Sequence, residues 1–557
     1  MSDKTSITKQ KTFLQSVMEF FSGTLISRMT GFVRDVVTAA AFGTREHWAL
    51  LAFVWRICSL MRRVIGENGL HSVFIPALKK YGKQDKDEKL FFFGTLKILM
   101  VTMLQFIIVL YLLIFFFFML DLYFYDSFYV DKTRTGELLT YVVIVLPSFF
   151  FILLMGLNSG VLFSKNKFFL PSVSQVFFNL LWSLVAYSIS GFEDNYPHSA
   201  MMVMSFTLFL CFMGMWIITS YPLREWYFEL FRNYKMKISS SVLPRRWLKK
   251  ILVGFVGIGA LQINVLVDSM LTLIYCEKSA SAEVYYALRL QQIPLALFCI
   301  PIATVLTSRT AACMVNKSIV KLRQLYENTF DYVFNILLFL VLFLMLFRVE
   351  IVSIIYQRGD FDSESTLSVA KVLNMYLPVL LIQCLIIPIQ SFLYAFKENV
   401  YIAKTAIFNA VLNTLMSFSF VHFLAQDVTL IPVATTFSGM IQLYLLQHRL
   451  FDLIGENYEK YLNKLIQIIY KMMFVVFFYQ LFVFLGTFES EWIQFSIPMW
   501  LVSIFSSSQS LNDIWLRDTS FFVVMLFQFF TYFGLYVMID RVTSSYLPRL
   551  VKGKFFD

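Results

Sequence analysis

Residues 90-LFFFGTLKILMVTMLQFIIVLYLLIFFFFML-120 form one long apolar run with no alternation of polar and apolar positions. Hydrocarbon offers the backbone no hydrogen bonds, so such a run is read as a membrane-spanning helix, which satisfies its own N–H and C=O groups. Similar segments recur near 15–42, 48–78, 136–164, 168–190, 199–221, 249–276, 284–314, 326–347, 366–396, 399–422, 427–448, 463–486 and 519–540. With 90–120 they make about 14 spans, each able to cross a hydrocarbon core of about 30 Å. The stretch 492–511 is also apolar and leaves one partial span open.

Composition agrees. Of 557 residues, 58% are hydrophobic and 15% charged, and mean hydropathy is +0.68. A soluble enzyme, a disordered chain and a secreted disulfide scaffold are excluded. An outer-membrane barrel would alternate over segments of about ten residues. The expected fold class is an all-α polytopic membrane protein. The short basic start MSDKTSITKQK leads into an apolar stretch that runs on to Arg28, which reads as an uncleaved first span.

Lys and Arg total 47 against 36 Asp and Glu, a net of +11. With both termini in the cytoplasm, the loops sort by charge. The inner set holds 79-KKYGKQDKDEK-89, Lys165, Lys167, 222–250, Lys317 to Arg323, Lys397, 449–464 and the C-terminal RLVKGKFFD; the outer set holds 121–137, 191-GFEDNYPHS-199, Cys276 to Glu283, 423–428 and 487–491. Basic residues concentrate in the first set, the positive-inside pattern. The excess is therefore topological and points to membrane lipids, not nucleic acid. Cys58, Cys211, Cys276, Cys299, Cys313 and Cys384 form no C-x-x-C pair, and all read as reduced small hydrophobes.

Segment 222–250 interleaves aromatic and basic residues, as does a helix lying on an anionic leaflet, and it falls midway between two groups of six spans. A faint repeat supports the division: 165-KNKFFLPSVSQVFFNLLWS-183 resembles 399-NVYIAKTAIFNAVLNTLMS-417, matching Asn179 and Ser183 to Asn413 and Ser417. The expected organisation is a six-helix lobe over 1–221, a basic amphipathic linker over 222–248, a pseudo-symmetric second lobe over 249–450, and two additional helices with a tail over 451–557. A central cavity between the lobes is the expected site.

Charges inside the spans are the anomaly, because each costs about 2.5–3.5 kcal/mol at mid-bilayer. In 27-SRMTGFVRD-35, Arg28 and Asp35 share a helix face, Arg34 lies to one side, and Gly31 allows a bend. Arg56 and Arg63 stand seven apart on one stripe, with Arg62 beside them and Glu67 one turn on. Arg289 lies among apolar and amide side chains, Gln292 included. Bases outnumber acids. A guanidinium stays charged when buried and binds phosphate oxygens in pairs, so a cavity with surplus Arg suits a diphosphate. The bland alternative pairs Arg28 with Asp35 and Arg63 with Glu67 and lets the rest snorkel to the interface.

Nothing catalytic appears. The run 254-GFVGIG-259 lacks a following GK[ST] and reads as helix packing. The five His are scattered without a ligand pattern, no acidic metal pair is present, and Asn158, Asn179, Asn374 and Asn413 read as interhelical hydrogen-bonding groups.

These residues carry a resemblance. The stretches 27-SRMTGFVRDVVTAAAFG-43, 60-LMRRVIGENGLHSVFIPAL-78, 285-YYALRL-290 and 355-IYQRGDF-361 resemble the motifs of the MurJ (MviN) family of lipid II flippases, within the multidrug/oligosaccharidyl-lipid/polysaccharide exporter superfamily. The resemblance implies two six-helix lobes in a V around a cavity, with two further helices forming a lipid-tail groove. It implies export of undecaprenyl-diphosphate-linked disaccharide-pentapeptide (lipid II) across the bacterial cytoplasmic (inner) membrane for peptidoglycan synthesis. The family's cavity arginines fall on Arg28, Arg34, Arg62 and Arg289, with Arg56 as an adjacent basic position and Asp35, Arg63, Glu67 and Gln292 as accessory candidates. The sequence departs from the family at Ala49, Leu288 and Gln292, where acids are usual, and at Cys58-Ser59, where Pro-Asn is usual. Cavity cations are kept and acids lost. No catalytic residue, metal or other cofactor is expected. Coupling to an ion or to the membrane potential stays open, as does association of a monomer with the cell-wall synthesis machinery.

Two other readings were weighed. An O-antigen flippase or multidrug exporter shares the fold, but exporters of cationic drugs place acids in the cavity. A polyprenyl-phosphate-sugar enzyme needs an acid or metal pair in a long outer loop, and Asp121, Asp126 and Asp131 lack ligand spacing.

Overall fold

The computed structural model describes residues 13–66, 68–81, 85–123, 132–165, 167–232, 265–315, 318–424 and 426–455. Glu67, most of the linker, 254-GFVGIG-259, the two C-terminal spans and 492–511 lie outside them. Among the described residues the chain is helical, with no strand. Seven helices are long and apolar enough to cross a membrane, and an eighth span is formed if Phe339–Leu346 and Arg348–Tyr356, bent by 72°, are counted together. The segments at 48–78 and 284–314 do not run straight. π turns at Arg62–Gly66 and Leu295–Cys299 divide each into two shorter helices.

The chain forms two compact units. Within 1–283 and 358–362 lie α1 (Phe13–Phe42), α2 (Glu46–Met61), α3 (Asn68–Tyr81), α4 (Asp85–Tyr123), α5 (Lys132–Val145), α6 (Ser148–Ser164), α7 (Phe169–Glu193), α8 (Pro197–Ser220), α9 (Arg224–Arg232) and α10 (Val265–Tyr275). Helix α7 packs between α1 and α8, and α8 also meets α5 and α6. On α4 the side chains of Leu104, Val109, Leu112, Phe115 and Phe116 are exposed, as a lipid-facing helix requires. The π turn is seated on α6 backbone to backbone. A Cβ at Gly156 would lie 2.4 Å from the Gly66 carbonyl oxygen, so glycine is what permits the approach.

At the end of α1 the two motifs AAAFG and QRGDF meet. Asp360 donates its N–H to the Ala40 carbonyl at 3.0 Å. Gly43 (φ +52°) and Gly359 (φ +58°) both adopt left-handed backbone, and a Cβ on either would lie 2.4 Å or 2.2 Å from the other segment's carbonyl oxygen. Arg45 then ties Glu193 (3.2 Å), Asp194 (2.8 Å) and Asp360 (3.2 Å) together. Burial pushes the Asp360 carboxyl up, and Asp194 adds to this against the pull of Arg45.

The second unit begins within α11 (Ala280–Pro294) and contains α12 (Ile300–Val315), α13 (Ile319–Leu346), α14 (Arg348–Tyr356), α15 (Ser363–Ala395), α16 (Asn399–Ser419) and α17 (Leu430–Ile454). Tyr326 is buried among Phe330, Phe392 and Phe451, with ring centroids 5.5–5.9 Å apart. Arg323 donates to the carbonyls of Ile454 and Gly455 at 2.7 Å and caps α17 at its left-handed glycine (φ +69°).

One expectation is corrected. Cys299 and Cys384 are joined in a disulfide that links the π turn after α11 to α15. The partners are 85 residues apart, so no local spacing signals the pair. Proximity comes from α12 packing on α15. The other four cysteines are free.

Candidate functional site

Helix α1 runs unbroken through Gly31, so the permitted bend is not used. The space above Gly31 instead admits Asn179 of α7, whose Nδ2 would lie 3.4 Å from a Cβ there. Asn179 is fully buried. Its Nδ2 donates to the Ser27 carbonyl and to Thr30 Oγ1, both at 3.0 Å, and its Oδ1 accepts from Arg34 Nη1 at 3.0 Å. One amide therefore binds the backbone of α1 beside Arg28 and the guanidinium of Arg34.

Arg34 is only 6% exposed. Its Nη2 and Nε donate to one oxygen of Asp35 at 2.6 and 3.0 Å. The guanidinium carbon lies 4.7 Å from the Trp55 ring centroid, a desolvated cation–π contact. Trp55 stands edge-on to Trp182 at 4.2 Å. Trp182 donates to Thr38 Oγ1 at 2.9 Å, and Thr38 donates in turn to the Arg34 carbonyl at 2.7 Å. Asp35 thus partners its neighbour in sequence, not Arg28. Residues i and i+1 point apart on a helix, and it is the reach of the arginine stem that closes this pair. Arg28 is exposed and, among the described residues, has no hydrogen bond or ion pair.

Arg62 lies in the π turn and donates to Gln175 Oε1 of α7. Gln175 Nε2 reaches Asn179 Oδ1, one turn on, at 3.4 Å. Arg62, Gln175, Asn179, Arg34 and Asp35 form one continuous polar chain across three elements. Arg56 leaves it and donates to Ser269 Oγ of α10 at 2.8 Å. Arg63 shares the π turn with Arg62. Arg56 stands in the regular part of α2, while Arg62 and Arg63 open the π turn that follows it. Glu67 lies outside the described residues.

In the second unit Arg289 is half-buried, its guanidinium 4.9 Å from the Tyr285 ring centroid. Gln291 donates to the Tyr376 carbonyl at 3.2 Å, and Gln292 beside it is half-buried. Asn413, the repeat counterpart of Asn179, is also fully buried. Its Oδ1 accepts from Ser417 at 3.1 Å and Thr435 at 3.4 Å.

Sequence reasoning missed Gln175 and Trp55, since amides and tryptophans in apolar helices give no signal of their target. It also missed a convergence of histidines. His47 Nδ1 lies 2.8 Å and His198 Nδ1 3.8 Å from the two oxygens of Glu137, with Tyr141 Oη 3.1 Å from His198. These residues come from three helices, α2, α5 and α8, and only packing unites them.

A family model described as lipid II flippase MurJ matches residues 38–506. Among curated relatives, the "Probable lipid II flippase MurJ" of Aquifex aeolicus is 27% identical over 444 residues, 77% of this chain and 82% of that protein. Its namesake in Chlamydia pneumoniae is 23% identical over 432 residues, 78% and 76%. Among solved structures, a lipid II flippase MurJ in an inward closed conformation superposes with a TM-score of 0.68 at 18% identity, covering 94% of this chain and 99% of that one. An inward-facing multidrug resistance MATE transporter scores 0.61 at 15% identity, covering 80% and 99%. These structural likenesses concern the fold.

Proposed function

The chain belongs to the lipid II flippase MurJ family, and from that premise we propose that it carries undecaprenyl-diphosphate-linked disaccharide-pentapeptide from the inner to the outer leaflet of the bacterial cytoplasmic membrane. It is a multi-pass helical membrane transporter, not an enzyme. Alternating access by two six-helix lobes moves the headgroup through a polar cavity while the prenyl tail stays in lipid. The N- and C-termini are placed in the cytoplasm, a reading that the loop charges support.

Arg28, Arg34, Arg62 and Arg289 hold the diphosphate, with Arg56, Arg63 and Gln292 as supporting polar groups. The observation that carries this reading is the chain from Arg62 through Gln175 and Asn179 to Arg34 and Asp35. It holds two guanidinium groups in fixed positions between apolar helices. Arg28, exposed and next in sequence to Asn179's backbone contact at Ser27, meets the phosphate first. The carboxylate of Asp35 keeps Arg34 neutralised until a phosphate competes for it. The same pairing weighs against an exporter of cationic drugs, because the acid in this chain of contacts is already taken by an arginine.

The test uses a strain depleted of its own flippase and measures lipid II cleavage by an externally added enzyme. This chain restores cleavage. Arg28→Ala or Arg289→Ala abolishes it while the protein stays in the membrane. Full export with both arginines removed would overturn the assignment.

A further inference from the structure

Helices α8 and α9 run on as one rod, Pro197–Glu229. At 1.5 Å per residue its 33 residues span about 50 Å, well beyond a hydrocarbon core of about 30 Å. Its last turns therefore stand at headgroup level, and their two faces differ sharply. On one face Leu223 and Trp226 are buried. Trp226 packs against Phe92 at 5.5 Å and carries Lys165 Nζ 4.3 Å from its ring centroid. Tyr227 donates to Asn158 Oδ1 at 2.7 Å, and Glu229 accepts from Lys89 at 3.0 Å. This side anchors α9 to its own unit.

The other face is a stripe of Tyr221, Arg224, Phe228 and Arg232, spaced by three, four and four residues and all exposed. Tyr221 is 66% and Phe228 70% exposed. Arg224 lies 5.1 Å from the Tyr221 ring centroid and donates to its hydroxyl at 3.3 Å. Glu225 shares the exposed side, while Glu229 is withdrawn to Lys89. Beyond Arg232 the sequence adds Lys235, Lys237, Arg245, Arg246, Lys249 and Lys250 before any acid. Large aromatic rings bare to water are unfavourable, but at the boundary of acyl chains and headgroups they are well placed. Arginines between them meet the phosphate level, where a guanidinium fork fits phosphate oxygens.

We propose that the Tyr221–Arg224–Phe228–Arg232 face of α9 is a docking surface for anionic phospholipid headgroups. The two arginines bind phosphate, the two rings seat at the acyl boundary, and net positive charge selects anionic over zwitterionic lipid. This surface is separate from the arginine chain on α1 and α7.

The experiment is native mass spectrometry of the full-length chain released from micelles containing phosphatidylglycerol or phosphatidylcholine with matched acyl chains. Phosphatidylglycerol is retained in excess, and the excess shrinks with added salt. The double variant Arg224→Gln/Arg232→Gln lowers that retention about thirtyfold, in line with two basic residues at an anionic surface, and leaves phosphatidylcholine unchanged. Phe228→Ser lowers retention of both lipids alike. Lys278→Gln, a substitution elsewhere in the same unit, changes neither. Gel filtration and helical circular dichroism identical to the parent show that the variants are folded. Equal retention of the two lipids by the parent chain, or an anionic excess that survives loss of both arginines, overturns the proposal. So does binding of an acidic soluble protein to this face with no lipid preference.

Discussion

Gly359 lies so close to Ala40 that a single methyl group would sit 2.2 Å from the Ala40 carbonyl oxygen. That oxygen already accepts the Asp360 N–H. The segment 358–362 is therefore held to the last turn of α1 by a backbone contact, and Arg45 gathers three carboxylates around the joint, Asp360 among them.

Gly359→Ala is expected to destabilise the protein. A non-glycine residue at φ +58° costs of order 1–3 kcal/mol, and the carbonyl contact adds to that. The melting temperature of the purified protein in detergent falls by several degrees. An unchanged melting curve would contradict the close approach.

Asp35→Asn and Asn179→Leu are expected to act on Arg34 in different ways. The first leaves a buried guanidinium without its counter-ion, a loss of about 3–5 kcal/mol for a broken buried pair. The second keeps the ion pair but removes the contacts to Ser27, Thr30 and Arg34, about 1–3 kcal/mol. Chemical denaturation in detergent ranks them, Asp35→Asn being the less stable.

Lys371 donates to Asp427 at 2.8 Å. Burial raises the Asp427 carboxyl, but the bonds from Lys371 and Thr429 outweigh it and the net displacement is downward. A carboxyl lowered on folding contributes stability above its unfolded pKa of about 3.9, and this is lost as pH falls through the folded value. The contact is expected to contribute in full above the unfolded value of about 3.9 and to be lost as pH falls below it, through the lower folded value. Lys371→Met removes that acid-limb contribution, which hydrogen exchange at 424–430 would register.

Four of the six cysteines should react with maleimide in the denatured, unreduced protein, and all six after reduction. Intact-mass spectrometry counts them. Six adducts before reduction would show that Cys299 and Cys384 are thiols.

The sequence made the helical membrane class plain because apolar runs such as 90–120 admit one solution in lipid. It also flagged Arg28, Arg34, Arg56, Arg62, Arg63 and Arg289, since charge inside an apolar helix has to be accounted for, and the family resemblance narrowed these to Arg28, Arg34, Arg62 and Arg289. What stayed hidden depends on winding and packing. The π turn at Arg62–Gly66 leaves no mark in the residue pattern. Asn179 shows itself in the sequence as a polar residue and a repeat position, but its three partners in α1 are 145–152 positions away, reachable only once α7 lies along it. The His47–Glu137–His198 group and the Cys299–Cys384 bond are invisible for the same reason.

The π turn is an ordinary helix that has taken in one surplus residue. Excising Val64 would let the winding relax to the regular pitch. The residues after it would keep close to their present phase, His71 included, which touches the Gly156 carbonyl at 2.9 Å. A loss of one amino acid there is thus absorbed within the turn, and what it alters is the bulge that seats Gly66 against Gly156.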